Sequence, residues 1–149
     1  MTADNRIVIF DLDGTLADVT HRLHHIQGVP RNWDAFFEDC NNDAPIEDMI
    51  TLYRYLSRHC EMRIFSGRSE AVRDKTEKWL DHHLNAPWAE LRMRKNKDFR
   101  PDHEVKNEML ADLGPTRERV LLIIDDRQQV VDMWRNEGMR CLQCAQGNF

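Results

Sequence analysis

Two uninterrupted apolar runs, each followed by acidic residues, constrain the fold of this chain more than any other feature of its sequence. The first run is Ile7–Phe10 and the second spans residues 120–124. The acidic residues are Asp11 and Asp13 after the first run, and Asp125 and Asp126 after the second. A strand covered on both faces carries a continuous apolar run, whereas a strand with one solvated face alternates. The runs therefore predict buried parallel strands that deliver carboxylates at their carboxyl ends, where open α/β sheets bind ligands.

Carboxylates at the end of a buried strand are costly unless a cation meets them. If the two strands are neighbours, four acidic side chains converge, and they cannot all stay ionised without a counter-charge. A hard, oxygen-seeking metal such as Mg²⁺ is the cation that such ligands prefer. The alternative for the first pair is an acidic turn that caps a helix, because Asp-Gly is common in turns. The second acidic pair favours the metal site.

Length, charge and cysteine content narrow the class of protein. A chain of 149 residues suits a single domain with its own core, and its formal net charge of −5 means that a polyanionic partner requires a local basic patch. No secretory segment or bilayer-length apolar run is present, so we expect a soluble, cytoplasmic protein with no membrane contact and no obligatory protein partner. Cys141 and Cys144 are three residues apart, which places their thiols on opposite faces of a predicted strand and argues against a zinc half-site.

Strand and helix patterns alternate along the chain. The predicted strands span residues 7–10, 61–65, 90–94, 120–124 and 139–144, and the predicted helices span 20–26, 32–40, 46–59, 69–84, 102–113 and 128–137. We expect Ser69 to be an N-cap and Pro45 to lie in the first turn of a helix. The alternation predicts an α/β, Rossmann-like three-layer fold with a mostly parallel central sheet. Residues 18–44 show helical patterns and no strand, which predicts a small helical cap inserted after the first strand of a single domain, residues 1–149.

Further polar residues follow the other predicted elements. Ser66 and Gly67 come after the second main strand and before a helix, where a hydroxyl and backbone N–H groups can bind a phosphate oxygen. Lys106, on a later helix, can neutralise both a phosphate and the acidic cluster. Metal, carboxylates, hydroxyl and lysine together indicate phosphoryl transfer, which depends on positioning and charge neutralisation.

The order D-x-D-G-T, Ser, Lys and D-D resembles the haloacid dehalogenase-like (HAD) superfamily of phosphohydrolases. The resemblance implies that Asp11 is a nucleophile that forms an aspartyl-phosphate, and that Asp13 is the general acid and then the base. It also implies a set of residues around the phosphate and the metal. Asp11, the backbone carbonyl of Asp13, Asp125 and Asp126 would hold Mg²⁺, Thr15 would position the nucleophile loop, and Ser66 and Lys106 would bind the phosphoryl group.

Within that superfamily, the chain resembles the phosphatase domain of bacteriophage polynucleotide kinase/3′-phosphatase. The similar segments are S-G-R at residues 66–68, the basic stretch leading to Lys106, I-D-D-R-Q-Q-V-V-D-M-W-R, and the final residues. The resemblance implies that Arg68, Arg94 and Arg100 contact the substrate phosphate or the neighbouring backbone. These 149 residues contain no G-x-x-x-x-G-K-[ST] phosphate loop, so we expect them to include no kinase half. The cap residues depart from the expected family pattern, which leaves the size of the substrate open.

Three functions are consistent with these features. The first is a Mg²⁺-dependent phosphomonoesterase that removes 3′-phosphates from nucleic-acid ends. The second is a nucleoside monophosphate phosphatase, similar to a 5′-nucleotidase, which the net negative charge favours. The third is a receiver-like phospho-acceptor module, although such domains place the acidic pair first and the lysine last.

Several surface residues have two interpretations at this stage. Trp33, Phe36 and Phe37 are either packing residues at helical spacing or a base-stacking surface. The basic residues from 92 to 100 are either a solvated rim or a substrate contact; they are Arg92, Arg94, Lys95, Lys97 and Arg100. His21 and Arg22 lie near the cap, where they can reach a substrate.

Overall fold

The computed structural model describes residues 5–147 and residue 149. Within these residues the strands are β1 Ile7–Phe10, β2 Ala17–Asp18, β3 Ala44–Pro45, β4 Glu61–Ser69, β5 Glu90–Arg94, β6 Val120–Asp125 and β7 Cys141–Gln143. The α-helices are α1 His24–Gln27, α2 Trp33–Glu38, α3 Glu47–Leu56, α4 Arg73–His83, α5 Asp102–Ala111 and α6 Gln128–Asn136. Short 3₁₀ turns cover Thr20–Arg22, Asp39–Asn42, Glu70–Val72 and Gly114–Arg119.

β1 lies at the centre of a five-stranded parallel sheet with the order β5-β4-β1-β6-β7. Successive β1 side chains point to opposite faces, so Val8 and Phe10 join one hydrophobic cluster while Ile7 and Ile9 join the other. Helices α3 and α4 pack on the first face, and α5 and α6 pack on the second. The predicted three-layer α/β fold is confirmed, and β1 and β6 are sheet neighbours.

The cap segment is not purely helical, and the prediction that it has no strand was wrong. β2 and β3 pair antiparallel at its base, with Ala17 opposite Pro45. Pro45 therefore lies in a strand, whereas α3 begins at Glu47. The N–H of Ile46 continues this closure by donating to the carbonyl of Leu16 at 2.8 Å. Strands of two residues carry no measurable periodicity, which is why the sequence pattern did not reveal them.

Two local sequence predictions can be compared with the structure: the N-cap at Ser69 and the placement of Cys141 and Cys144. The Ser69 hydroxyl accepts from the N–H of Ala71, as expected for an N-cap, but it caps a 3₁₀ turn, and α4 begins at Arg73. Cys141 and Cys144 belong to opposite faces of the sheet, and both are free thiols. Among the described residues, no helix has the length and apolar character needed to cross a bilayer.

Candidate active site

Three buried carboxylates meet at the carboxyl ends of β1 and β6. Asp11, Asp125 and Asp126 each offer an oxygen, and these oxygens lie within 4.8 Å of one another. The strand pairing brings them together, because the N–H of Asp11 donates to the carbonyl of Ile124 at 2.9 Å. The structure thus brings together three of the four acids that the two runs deliver, and the Asp13 side chain is not part of this cluster.

Lys106 enters this cluster from α5. Its Nζ donates to Oδ1 of Asp11 at 2.6 Å and to Oδ2 of Asp125 at 2.9 Å, and its side chain is 1% exposed. Burial alone would lower the pKa of Lys106, but the charges of Asp11 and Asp125 raise that pKa well above its usual value. The lysine therefore remains a fixed positive charge beside Asp11.

One ammonium does not balance three carboxylates. Oδ1 of Asp126 is buried and has no hydrogen-bond partner among the described residues. Burial, followed by the charge of Asp125, raises the pKa of Asp126 to about 6, and the pKa of Asp11 is raised by burial and by Asp125. An orphaned carboxylate oxygen within an excess of negative charge is what a divalent cation with oxygen ligands would satisfy, so these side chains fit a Mg²⁺ site.

The loop after β1 is shaped around this cluster. Gly14 has a φ of +80°, and a Cβ at this position would overlap the Asp126 carboxylate. The hydroxyl of Thr15 donates to Oδ2 of Asp11 at 2.9 Å. Trp134 of α6 donates its Nε1–H to Oδ2 of Asp125 at 3.2 Å. The glycine gives close approach, while the hydroxyl and the indole orient two of the carboxylates.

Asp13 lies in a different electrostatic environment from Asp11. Its Oδ1 accepts from Nε of Arg68 at 2.8 Å and from Nη2 of Arg22 at 2.9 Å. Burial would raise the pKa of Asp13, but the two guanidinium charges outweigh burial and hold the pKa below its usual value. The two acids of the D-x-D motif therefore have different surroundings: Asp11 lies beside a lysine and other carboxylates, whereas Asp13 lies between two arginines.

Asp43 completes the arginine network, and the sequence pattern did not single it out. Its buried carboxylate accepts from Nε and Nη2 of Arg22, each at 2.8 Å, and from Nη2 of Arg68 at 2.8 Å. His21 also places its Nε2 2.7 Å from Oδ1 of Asp43. The network thus contains two guanidiniums and two carboxylates, so it needs no further cation. In the sequence, Asp43 stands in a polar turn, a position where acidic residues are common.

Arg68 is not open to the groove as a substrate ligand would be. Its side chain is fully buried, and besides the two acids it donates to the hydroxyl of Thr76 at 3.2 Å. Ser66 is also buried, and its Oγ accepts from the N–H of Arg68 at 3.1 Å. A Cβ on Gly67 would overlap the carboxylate of Asp102. These three residues lie close to the acidic cluster, but Arg68 already has a full set of protein partners.

Arg94 and Arg100 are held by protein groups in a similar way. Arg94 donates from Nε to the carbonyl of Gly67 at 2.8 Å and from Nη2 to Oδ1 of Asp102 at 2.9 Å. Arg100 pairs with Asp98 and with Glu108, both at 2.7 Å. Both arginines nevertheless line a groove of about 650 Å³ that has Asp11 and Asp13 among its lining residues.

The groove distinguishes among the aromatic and basic residues for which the sequence left two interpretations. Phe36 is also among the lining residues, but it is only 2% exposed and Cζ of Arg22 lies 4.2 Å from its ring centroid, so it is mainly a core residue. Trp33 and Phe37 are partly exposed and line the groove, as do Lys95 and Lys97. Arg92 pairs with Glu90 instead and is not among the lining side chains.

Comparisons with known proteins agree with this geometry. A family model described as the phosphatase domain of polynucleotide kinase PNKP matches residues 5–149. A chain of the Pnkp1/Rnl/Hen1 complex is 28% identical with a TM-score of 0.79, and the match covers 100% of this chain and 48% of that one. A chain of a second structure, the Pnkp1/Rnl/Hen1 RNA repair complex, is 29% identical with a TM-score of 0.78 and coverage of 100% and 45%. This chain therefore spans about half the length of those relatives.

More distant structures share the fold alone. A haloacid dehalogenase-like hydrolase from Streptococcus pneumoniae is 17% identical with a TM-score of 0.65, and the match covers 96% of this chain and 85% of that one. The L-2-haloacid dehalogenase from Xanthobacter autotrophicus, with chloropropionic acid covalently bound, is 15% identical with a TM-score of 0.63 and coverage of 93% and 77%. Because the matching family model describes a phosphatase domain, an enzyme, rather than a receiver-like module, is the correct class. The chain belongs to the family of polynucleotide kinase PNKP phosphatase domains, within the HAD hydrolases.

Proposed function

We propose that this phosphatase is a Mg²⁺-dependent phosphomonoesterase that removes 3′-phosphates from nucleic-acid ends through an aspartyl-phosphate intermediate. The observation that carries the proposal is the placement of Asp11 between Lys106 and two further buried carboxylates. A carboxylate nucleophile repels the phosphate anion that it attacks, so positive charge is needed beside it. Lys106 supplies one such charge, and the carboxylates fit a cation that would supply another.

The reaction follows as two displacements. A carboxylate oxygen of Asp11 forms a bond to phosphorus while the bond from phosphorus to the leaving 3′-oxygen breaks, and Asp13 donates the proton that this oxygen takes up. In the second step, water attacks the same phosphorus, the bond to Asp11 breaks, and Asp13 takes a proton from the water. Asp13 therefore enters the first step protonated and leaves it ionised, and the proton taken from the water restores the protonated form. Arg22 and Arg68 orient Asp13 and favour its ionised form, which makes the protonated carboxyl a stronger acid in the first step and is the form that accepts the proton in the second.

The charge around the phosphoryl group is neutralised from two sides. Asp11, Asp125, Asp126 and the backbone carbonyl of Asp13 would hold Mg²⁺, which when bound supplies positive charge to the phosphoryl oxygens. Lys106 supplies a second charge, and we propose that Ser66 donates a hydrogen bond to the same oxygens. The hydrogen bond from Arg94 to the carbonyl of Gly67 holds the chain beside Ser66 in place.

The substrate class is supported by family and by charge. The relatives that share 28% and 29% identity come from Pnkp1/Rnl/Hen1 complexes, and the second of these is described as an RNA repair complex. The groove beside Asp11 is lined by several cationic side chains in a chain whose net charge is −5. A polyanionic chain would meet these cations when its terminal phosphate reaches the acidic cluster.

The decisive experiment measures phosphate release from a 3′-phosphorylated oligonucleotide and from free nucleoside monophosphates, with Mg²⁺ and with EDTA. We expect faster turnover of the oligonucleotide, and no turnover in EDTA. Because the assay uses this chain alone, activity would also show that no partner is obligatory. Equal or better turnover of free nucleotides would instead support a nucleoside monophosphate phosphatase, which the groove volume of about 650 Å³ can accommodate.

Loss of the nucleophile is tested by Asp11→Asn. We expect kcat to fall by at least about 10³-fold, since a nucleophile and its partners act as a unit. The matched control is Asp132→Asn, which changes an exposed acid on α6 that is bonded to Gln128 and should leave kcat unchanged. Phosphatase activity retained in Asp11→Asn would exclude Asp11 as the nucleophile.

A further inference from the structure

The groove beside the acidic cluster has aromatic walls as well as cations. Its lining residues include Trp33 and Phe37 of α2 together with Phe99 and Phe149. Trp33, Phe37 and Phe149 pack against one apolar cluster, whereas Phe99 belongs to none of the clusters that the described residues form. Phe99 is 83% exposed, more than any other Phe, Tyr or Trp side chain that the structure describes. A large ring left in water at the mouth of a catalytic groove indicates a contact surface for a ligand.

The segment that carries Phe99 is held by hydrogen bonds. Nη1 of Arg94 donates to the carbonyl of Asp98 at 3.1 Å, immediately before Phe99 in the chain. The carboxylate of Asp98 in turn accepts from the N–H of Arg100 at 3.1 Å, immediately after it. Hydrogen bonds therefore hold the backbone on both sides of Phe99, and the ring is displayed by an ordered segment. A pre-organised ring loses little conformational freedom when it binds.

Unpaired charge accompanies the aromatic rings. Arg31 and Lys97 line the groove, and within the described part of the chain neither forms an ion pair with a carboxylate. Arg31 comes just before α2 in the chain, and Lys97 comes two residues before Phe99. Aromatic rings that stack on bases, together with cationic side chains that contact the phosphate backbone, are the combination that binds single-stranded nucleic acid without sequence preference.

We infer that this groove binds the terminal nucleosides of a single-stranded nucleic-acid end, with Phe99 stacking on a base and with Arg31 and Lys97 contacting backbone phosphates. The inference rests on the proposed function, because it places the chain whose terminal phosphate enters the acidic cluster. Stacking requires an unpaired base, so a single-stranded end binds better than the same end within a duplex. Any base presents a ring face, so the sequence of the end has little effect.

The test compares Phe99→Ala and Phe99→Trp on two 3′-phosphorylated oligonucleotides, one with normal bases and one whose terminal nucleotides are abasic. Wild-type protein should have a lower KM for the oligonucleotide with bases. Phe99→Ala should raise that KM by about tenfold and remove most of the preference over the abasic chain, while Phe99→Trp should restore it. Tyr55→Ala, which removes an aromatic ring that is 59% exposed on α3, is the matched control and should not change KM.

A binding measurement separates this inference from the proposed function. Fluorescence anisotropy of a labelled, unphosphorylated single strand reports groove binding even if the enzyme cleaves a different phosphomonoester. Weaker binding to Phe99→Ala than to Tyr55→Ala supports the groove whatever the activity assay finds. Equal binding by both variants, or an equal rise in KM for the normal and abasic chains, would overturn the inference. Failure of wild-type protein to release phosphate from any 3′-end would overturn the proposed function alone.

Discussion

The substitution Asp126→Asn should stabilise the metal-free protein and weaken its response to Mg²⁺. In the wild-type protein, a carboxylate oxygen of Asp126 lies within 4.8 Å of a carboxylate oxygen of Asp11 and of one of Asp125. Two unit charges at that separation repel by about 3 kcal/mol at an effective dielectric constant of about 20. Removing one charge relieves two such repulsions. The lost attraction to Lys106 and the poorly satisfied amide offset part of this, so we expect a net gain of about 1–3 kcal/mol.

Mg²⁺ should change the order of stability. At a concentration about 100-fold above its Kd, a ligand that binds only the folded state stabilises by about 2.7 kcal/mol. For a domain of this size each kcal/mol shifts the Tm by roughly 2–4 °C, so the wild-type Tm should rise by about 5–10 °C. Asp126→Asn has lost one oxygen ligand and one charge, and its Tm should respond less.

Thermal unfolding followed by circular dichroism tests both halves of this expectation. The Tm of wild-type protein, Asp126→Asn and the surface control Asp132→Asn is measured in EDTA and across a MgCl₂ titration. The control should match wild-type protein throughout. The reasoning is refuted if Asp126→Asn in EDTA is less stable than wild-type protein, or if both respond equally to Mg²⁺.

Two further substitutions examine the network beside the cluster and the loop around it. Asp43→Asn leaves two buried guanidiniums with one carboxylate, and it should lower the free energy of unfolding in urea by about 3 kcal/mol. Glu38→Gln, which breaks an exposed pair, should leave that free energy unchanged, and an equal effect of the two would contradict a role for burial. Gly14→Ala forces a Cβ into the Asp126 carboxylate and should lower kcat by roughly 10²-fold. Gly114→Ala, with a φ of +53° but open space, should lower the Tm and leave kcat intact; a similar loss of kcat in both variants would count against steric overlap at Asp126.

The sequence predictions were most accurate where the succession of residues within one short segment sets their environment. A continuous apolar run such as Ile7–Phe10 must be covered on both faces, so its strand becomes central and its acids emerge at the ligand-binding edge. The run before Asp125 follows this reasoning only in its second half, because Ile123 and Ile124 are buried whereas Leu121 is exposed. The two strands are neighbours in the sheet. Two-residue strands at the cap base and the exact start of α4 lay outside such reasoning, because each depends on one or two hydrogen bonds.

The sequence by itself determined the α/β class, the order of the motifs and the placement of acids at the ends of two predicted strands, whereas the adjacency of those strands came from the tertiary structure. Only the tertiary structure decided how those acids divide: Asp11 lies beside Lys106, 95 residues away in the chain, while Asp13 is held by Arg22 and Arg68. It also showed that Asp43 shares these arginines and that Phe99 is displayed over the groove. The physical reason is that charge pairing in a buried site depends on distances of about 3 Å between side chains that are far apart in sequence, and no pattern along the chain encodes those distances.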